Sequence, residues 1–403
     1  MAQPYYSSEN KKFPWLHYIA KSSLERNIVN IKSGRYLMAG EKQFSSLWTR
    51  DFCFAAKGLL FSGNADVVKS QLNKLIKSKR KQDSLIPRTL DSISAQIRVF
   101  VTTTSAGRIP MQLISPLRDP LRPEYTDQYG SAAIDSNILF LYAALSYVKF
   151  TNDYKWWYDN QKALKEIYDF YIPKMKNGFI EQDKFSDWQD SANRSGFTFY
   201  TNLLYYIVSK DLEQFSYFGI NPNENKLFRQ KLIDTFYDEN VGIFNGVIGI
   251  KLYSLEGNLI AIENNLFEDE EKTRELYLSL KKHNLWSYKV DLPGIATYPN
   301  YPSNWVSPFL KFVGLRNYHG AIYWSWLIAY SAKISYLMND KNEGQRILNK
   351  LQEIALRDGV IYEIYRQNDN LTVWNSFLYK SEGPFSWGSG VTIEALHTAE
   401  LAD

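Results

Sequence analysis

The chain has 403 residues, of which 45% are hydrophobic, enough for a large core, and its aromatic share of 16%, with 29 Tyr and 11 Trp, exceeds what a helical core needs. A formal net charge of +4, from 47 basic and 43 acidic residues, gives no global field of the kind a nucleic-acid binder uses, and the one cysteine, Cys53, excludes an intrachain disulfide and a cysteine-based metal cluster. Met1 is followed by polar residues without an apolar core of signal length, and no later apolar run reaches about 18 residues, so a soluble, cytoplasmic protein with no membrane and no nucleic-acid partner is expected.

Helical patterns dominate. Residues 15–31 predict a first amphipathic helix, with Pro14 near its start, and residues 51–60 a second, mostly apolar one. A third, over 65–76, places Val67, Val68, Leu72, Leu75 and Ile76 on one face. Residues 83–130 hold Pro87, Pro110, Pro116, Pro120 and Pro123 and read as a long loop with a short hairpin over 93–103; loops of that length tend to be functional. Helices follow over 132–150, apolar nearly all round, over 154–171, charged on one side, and over 198–208, apolar again. Asn221 and Pro222 predict a capped start for a helix running to Phe236, and further helices are expected over 259–266, 271–285, 318–338, 344–356 and 387–401.

With the first helix set beside the last, six buried helices alternate with six half-exposed ones. That alternation predicts an all-α chain folded as an (α/α)6 toroid of six helical hairpins, one domain over residues 1–403. The segments before the six inner helices, 41–51, 124–135, 185–194, 241–256, 298–319 and 360–387, are rich in Trp, Tyr, Asp, Glu, Arg and His, whereas the opposite connections at 62–64, 151–153 and 339–341 are short and ordinary. One end of the toroid is therefore expected to carry the function. The densest of these segments is 185–194, where Asp187, Trp188, Asp190 and Arg194 fall within ten residues. An indole face suits the axial C–H groups of a sugar ring, and a partly desolvated carboxyl beside it keeps its proton near neutral pH. The same residues also fit a structural role, with Asp187 and Asp190 capping the helix that starts around Thr198 and Trp188 plugging the end of the toroid. Four scattered histidines offer no metal-ligand spacing, and no metal or cofactor is expected.

Several strings, in order, carry a family likeness. Trp48-Thr49-Arg50-Asp51 opens the first inner helix, Leu85-Ile86-Pro87 follows, then Tyr125 to Asp135, Trp188 to Arg194 with Asp190 four residues before the Arg, Arg316-Asn317-Tyr318-His319-Gly320 with Trp324, and Tyr362-Glu363-Ile364-Tyr365 before Gly383-Pro384-Phe385-Ser386-Trp387. Taken together they resemble the motifs of the (α/α)6 inverting glucosidases, a set that includes processing α-glucosidases, trehalases and the amylo-1,6-glucosidase part of glycogen debranching enzyme, and they cover nearly the whole chain. The resemblance implies a glycoside hydrolase with a carbohydrate substrate and two carboxylates on opposite sides of the scissile bond, giving inversion. By position Asp190 would be the general acid and Glu363 the general base, with Asp187 and Glu382 as their rivals. Trp48, Arg50, Asp51, Asp135, Trp188, Arg194, Tyr318, His319, Trp324 and Trp387 would bind the sugar. Exo-hydrolysis of an α-glucosidic bond is the activity implied first, trehalase- or invertase-like cleavage of a non-reducing disaccharide the second, and a glycan-binding toroid without catalysis the third. An Arg beside an Asp at a helix start also fits a plain capping ion pair. Many relatives carry a β-rich domain before the barrel, for which this chain has no room.

Overall fold

The computed structural model describes residues 12–109 and 111–402; the polar stretch after Met1 and Pro110 lie outside them. The helices among the described residues are α1 (Pro14–Arg26), α2 (Thr49–Phe61), α3 (Ala65–Lys77), α4 (Ala95–Thr104), α5 (Met111–Ile114), α6 (Ser136–Thr151), α7 (Tyr154–Asp169), α8 (Phe199–Leu212), α9 (Pro222–Phe236), α10 (Leu255–Glu263), α11 (Glu270–Lys282), α12 (Pro308–Phe312), α13 (Ser325–Leu337), α14 (Lys341–Asp358) and α15 (Ser386–Leu401). About half of the chain is helical, and among the described residues thirteen short strands in five small sheets accompany the helices, so the all-α expectation is corrected to a mainly helical chain with small sheets.

The apolar helices pack in a closed cycle, α2 on α6, α6 on α8, α8 on α10, α10 on α13, α13 on α15 and α15 back on α2, while α3, α7, α9, α11, α14 and α1 pack outside them. One hydrophobic cluster runs through this arrangement from Phe13 to Ala399. Burial on two faces explains why α6, α8 and α13 are apolar nearly all round. The tightest seam is between α2 and α15. A Cβ at Gly58 would lie 2.4 Å from the Gly390 carbonyl oxygen, and one at Gly390 would lie 2.5 Å from Ala55 Cα, so the two backbones meet where only hydrogen fits.

The two kinds of helix start differently. Four outer helices are capped by side chains: Asp153, Asn221, Asp269 and Asp340 accept from the first-turn N–H groups of Trp156, Asn223, Glu271 and Glu343. Inner helices α2, α8, α10, α13 and α15 are entered from extended residues, Trp48, Thr198, Ser254, Trp324 and Phe385, without a side-chain cap. Here the backbone of the neighbouring segment supplies the partners instead. Thr49 N donates to Arg88 O (3.0 Å), Ile134 N to Ser186 O (2.9 Å), Ile248 N to Phe197 O (3.3 Å), Leu255 N to Ala296 O (2.9 Å), Ser325 N to Glu363 O (3.1 Å) and Ser386 N to Ala39 O (2.9 Å). Each lead-in segment is thus laced to the next around the whole cycle, and the strand pairings of Leu47–Trp48 with Thr89–Asp91, of Ile250–Ser254 with Thr297–Tyr298 and of Tyr323–Trp324 with Ile364–Tyr365 are part of this lacing.

Three further expectations are corrected. The first helix stops at Arg26 because Asn27 turns inward, its amide donating to Pro384 O and Ser386 Oγ, and the β-branched run Ile28–Ile31 then pairs with Gly34–Leu37 as a hairpin. The hairpin expected over 93–103 is helix α4. Its Ile, Val and Thr alternation suggests a strand, but Ser94 caps it, and burial of Ala95, Arg98, Thr102 and Thr103 follows helical spacing. Arg98 anchors it through two 2.8 Å bonds to buried Asp91. The helix expected from Tyr318 starts only at Ser325, since Tyr323–Trp324 pairs as a strand with Ile364–Tyr365.

Candidate active site

The lead-in segments surround a pocket of about 1050 Å³, open solvent at its mouth included. Pairing of Leu47–Trp48 with Thr89–Asp91 and a 2.6 Å bond from Thr49 Oγ1 to Pro87 O set Arg88 beside the start of α2, its guanidinium 5.1 Å from the Trp48 ring. Arg50, one residue into α2, is held by a fork of 2.9 and 3.0 Å bonds to Asp135, the wholly buried residue that precedes α6. Its remaining nitrogen donates to Asp190 Oδ2 (3.3 Å), and Arg88 donates to the same oxygen (2.6 Å). Both cations converge on Oδ2, and Asp190 lines the pocket. Burial alone would raise the Asp190 carboxyl, but Arg88 and Arg50 outweigh it and hold Asp190 below the ordinary aspartate value.

Glu363 stands in the opposite situation. It is 2% exposed, its backbone is fixed between Glu382 O and Ser325 N, and its two oxygens accept from the phenols of Tyr318 and Tyr379, the latter at 2.6 Å. Both phenols favour the charged form, yet burial outweighs them and, with some help from Glu382, pushes the Glu363 carboxyl up to about 8. Of these two carboxyls, Asp190 is therefore ionised at neutral pH and Glu363 holds the proton. A general acid at Asp190 and a general base at Glu363 need it on the other residue.

The aromatic wall is a packed cluster. Trp188, 2% exposed, meets Trp324, Trp326, Trp387 and His319 edge-on at 5.0–5.7 Å, and Trp387 stacks on Phe54 at 4.4 Å. Trp188 forms the pocket floor and contributes mainly packing. His319 stacks flat on Trp324 and shares a hydrogen bond with Ser191; burial pushes its pKa down to about 3, so it is neutral. Asp51 lines the pocket with its carboxyl raised by burial to about 7.

Of the residues expected from sequence, Trp48, Arg50, Asp51, Trp188, Asp190, Tyr318, His319, Trp324, Glu363 and Trp387 all line this one pocket. Asp135 and Arg194 do not line it. Asp135 supports Arg50 from behind, and Arg194 is buried in an ion pair with Asp187 (2.7 Å), flanked by Glu256 (3.4 Å). Asp187 also takes bonds from Gln182 Nε2 and Gln189 N, so it caps no helix, and it does not line the pocket. Asp187→Asn would leave the Arg194 charge poorly compensated, and its unfolding free energy, measured in urea at pH 7, is expected to fall by about 3 kcal/mol or more; an unchanged value would mean that the buried pair carries no stability. Glu382 likewise faces away, accepting from the N–H groups of Lys42 and Phe44. Arg88, Asp127 and Tyr379 were missed, as were the apolar lining residues Phe44, Phe100 and Phe309. Arg88 directly follows the Leu-Ile-Pro string, and Tyr379 lies between the two halves of the last motif, so proximity to the motifs was the available signal.

No protein-family model matches this chain, and no curated protein matches it. Solved structures do. A glycosidase variant in complex with glucose aligns with TM-score 0.68 at 12% identity over 97% of this chain and 98% of its own. A rhamnosidase from Klebsiella oxytoca with rhamnose bound aligns with TM-score 0.65 at 11% identity, over 97% of this chain and 64% of its own. A metal-independent α-mannosidase of Streptococcus pneumoniae, in a non-productive complex with α-1,6-mannobiose, aligns with TM-score 0.61 at 12% identity, over 96% and 94%. The chain therefore has the fold of helical glycosidases. Among the described residues no cluster of His, Cys, Asp and Glu has the makings of a metal site, and no helix is long and apolar enough to cross a membrane.

Proposed function

We propose that the chain is a single-domain (α/α)6 glycoside hydrolase that removes a terminal sugar with inversion, with Asp190 as general acid and Glu363 as general base. The observation that carries this reading is one pocket in which two carboxylates from different lead-in segments face the same space in opposed electrostatic environments, above a tryptophan floor. The cyclic packing of six inner helices supports the toroid, and the hydrophobic cluster running from Phe13 to Ala399 supports one domain. A pocket with a floor suits a chain end better than a chain interior, which supports exo-action. An α-glucoside is the substrate proposed first; the glycosidase, rhamnosidase and α-mannosidase of the same fold make α-rhamnosides and α-mannosides the next to try.

In this mechanism the sugar is held by Arg50, Asp51, Arg88 and Asp127, with Trp48 and the Trp188 floor against its apolar face. A water that enters beside Glu363 donates to it, replaces part of its lost hydration and lowers its pKa. A sugar hydroxyl that draws Arg88 away from Asp190 Oδ2 raises the other pKa. The pair's single proton then resides on Asp190, which passes it to the leaving oxygen while Glu363 takes one from the attacking water. Proton NMR of the first product within seconds of mixing is expected to show the β-anomer released from an α-glycoside. A retained anomer would remove the inverting assignment.

A further inference from the structure

Resting on that reading, we infer that the pocket takes a glycoside whose leaving group is apolar, an alkyl or aryl alcohol, in preference to a second sugar. The two longest lead-in segments are the second, between Lys77 and Ser136, and the fifth, between Lys282 and Ser325, which lie across the cycle from each other. The second carries the extra helices α4 and α5 and the fifth carries α12, and α4 and α12 meet above the pocket with the rings of Phe100 and Phe309 at 6.2 Å. Phe44, edge-on to Trp48 at 5.6 Å, continues the same surface, with Val99 and Leu310 beside it.

The polar groups are distributed unevenly. Asp51, Arg88, Asp190 and Glu363 belong to the inner part of the pocket defined by the starts of the inner helices. At the rim, Gln96 donates to Thr126 O (3.1 Å), Thr103 to Gln43 Oε1 (3.2 Å), and Ser307 accepts from Leu310 N (3.2 Å), so each already spends part of its hydrogen-bonding capacity within the chain. Gln128, also in the lining, makes no hydrogen bond to another of the described residues. A sugar in the leaving-group position would bring several hydroxyls to a surface made mainly of Phe44, Val99, Phe100, Phe309 and Leu310, and each hydroxyl buried there without a partner costs about 1–3 kcal/mol. An apolar group meets no such penalty, and its burial is favourable. Phe100 is 55% exposed, so its ring is open to a group that enters this mouth.

The test compares methyl and hexyl α-glycosides of one sugar, whose leaving groups differ little in acidity, with the corresponding α-linked disaccharide. kcat/KM is expected to be at least about tenfold higher for hexyl than for methyl, below the full gain for five buried methylenes because the rim is partly open. The disaccharide should not exceed the methyl glycoside. Phe100→Ala and Phe309→Ala should each collapse the hexyl-to-methyl ratio, and Phe100, being exposed, can be removed without threatening the fold. Equal rates for hexyl and methyl, with the disaccharide preferred, would overturn the inference while leaving the hydrolase reading intact. If nothing is turned over, titration of Glu363→Gln with the same glycosides decides separately: tighter hexyl than methyl binding keeps the inference while the hydrolase reading falls, and equal binding removes both.

Discussion

Glu363→Gln is expected to be inactive on every glycoside, whereas Asp190→Asn is expected to lose about 10² to 10⁴ of the rate on substrates with poor leaving groups and much less on those with an activated aryl group. The two losses differ because the two residues serve different bonds. Water must be deprotonated whatever departs, so removing the base is felt with all substrates. An activated phenolate leaves without a proton, so removing the acid is felt only where the departing oxygen is strongly basic. Both variants should fold: Asp190 is partly open to the pocket, and Gln at 363 can accept from one phenol and donate to the other. The measurement is kcat/KM on an alkyl and a nitrophenyl glycoside of the same sugar. If Glu363→Gln is instead the variant rescued by the activated leaving group, the resting charges are also the working ones and the roles of the two carboxylates exchange. If both variants retain full rate, the hydrolase reading fails.

What could be read from the sequence was whatever local periodicity encodes. Helices α3, α7, α9 and α14 were placed to within a few residues because each carries a one-sided apolar stripe and most have an N-terminal cap such as Asp153 or Asn221. Contacts from distant segments override such patterns. Asn27 ends α1 through bonds to residues more than 350 positions away, and the pairing of Tyr323–Trp324 with Ile364–Tyr365 of the next segment delays the start of α13. The site divides in the same way. Asp190 and Glu363 stand inside recognisable motifs, but the distinction between Asp190 and Asp187, three residues apart, depends on which side chain the loop turns toward Arg88 and which toward Arg194. The state of charge is the least legible part, because the arginine that depresses Asp190 and the phenol that flanks Glu363 come from segments 102 and 16 residues away.

The pH dependence follows from those partners. With Asp190 held below its ordinary 3.8 and Glu363 raised to about 8, the pair carries one proton between these limits. Turnover needs that one proton on the pair, so kcat/KM should trace a bell. Its acid limb belongs to a second protonation, at Asp190, and its alkaline limb, near 8, to loss of the proton stored on Glu363. The form with the proton on Asp190 is disfavoured at rest, because Arg88 and Arg50 favour the Asp190 carboxylate while burial favours the Glu363 acid, and this is the redistribution that substrate and water have to bring about. Tyr379→Phe removes a donor that favours the charged form of Glu363, so Glu363 should titrate higher and the alkaline limb should move up. Arg88→Met removes the cation that most depresses Asp190, so the acid limb should move up and the bell should narrow from that side. Asp51, raised by burial to about 7, is the other carboxyl in range, and Asp51→Asn is the control: the alkaline limb should keep its midpoint in that variant. A limb that follows Asp51 and ignores Tyr379 would take the titration away from Glu363.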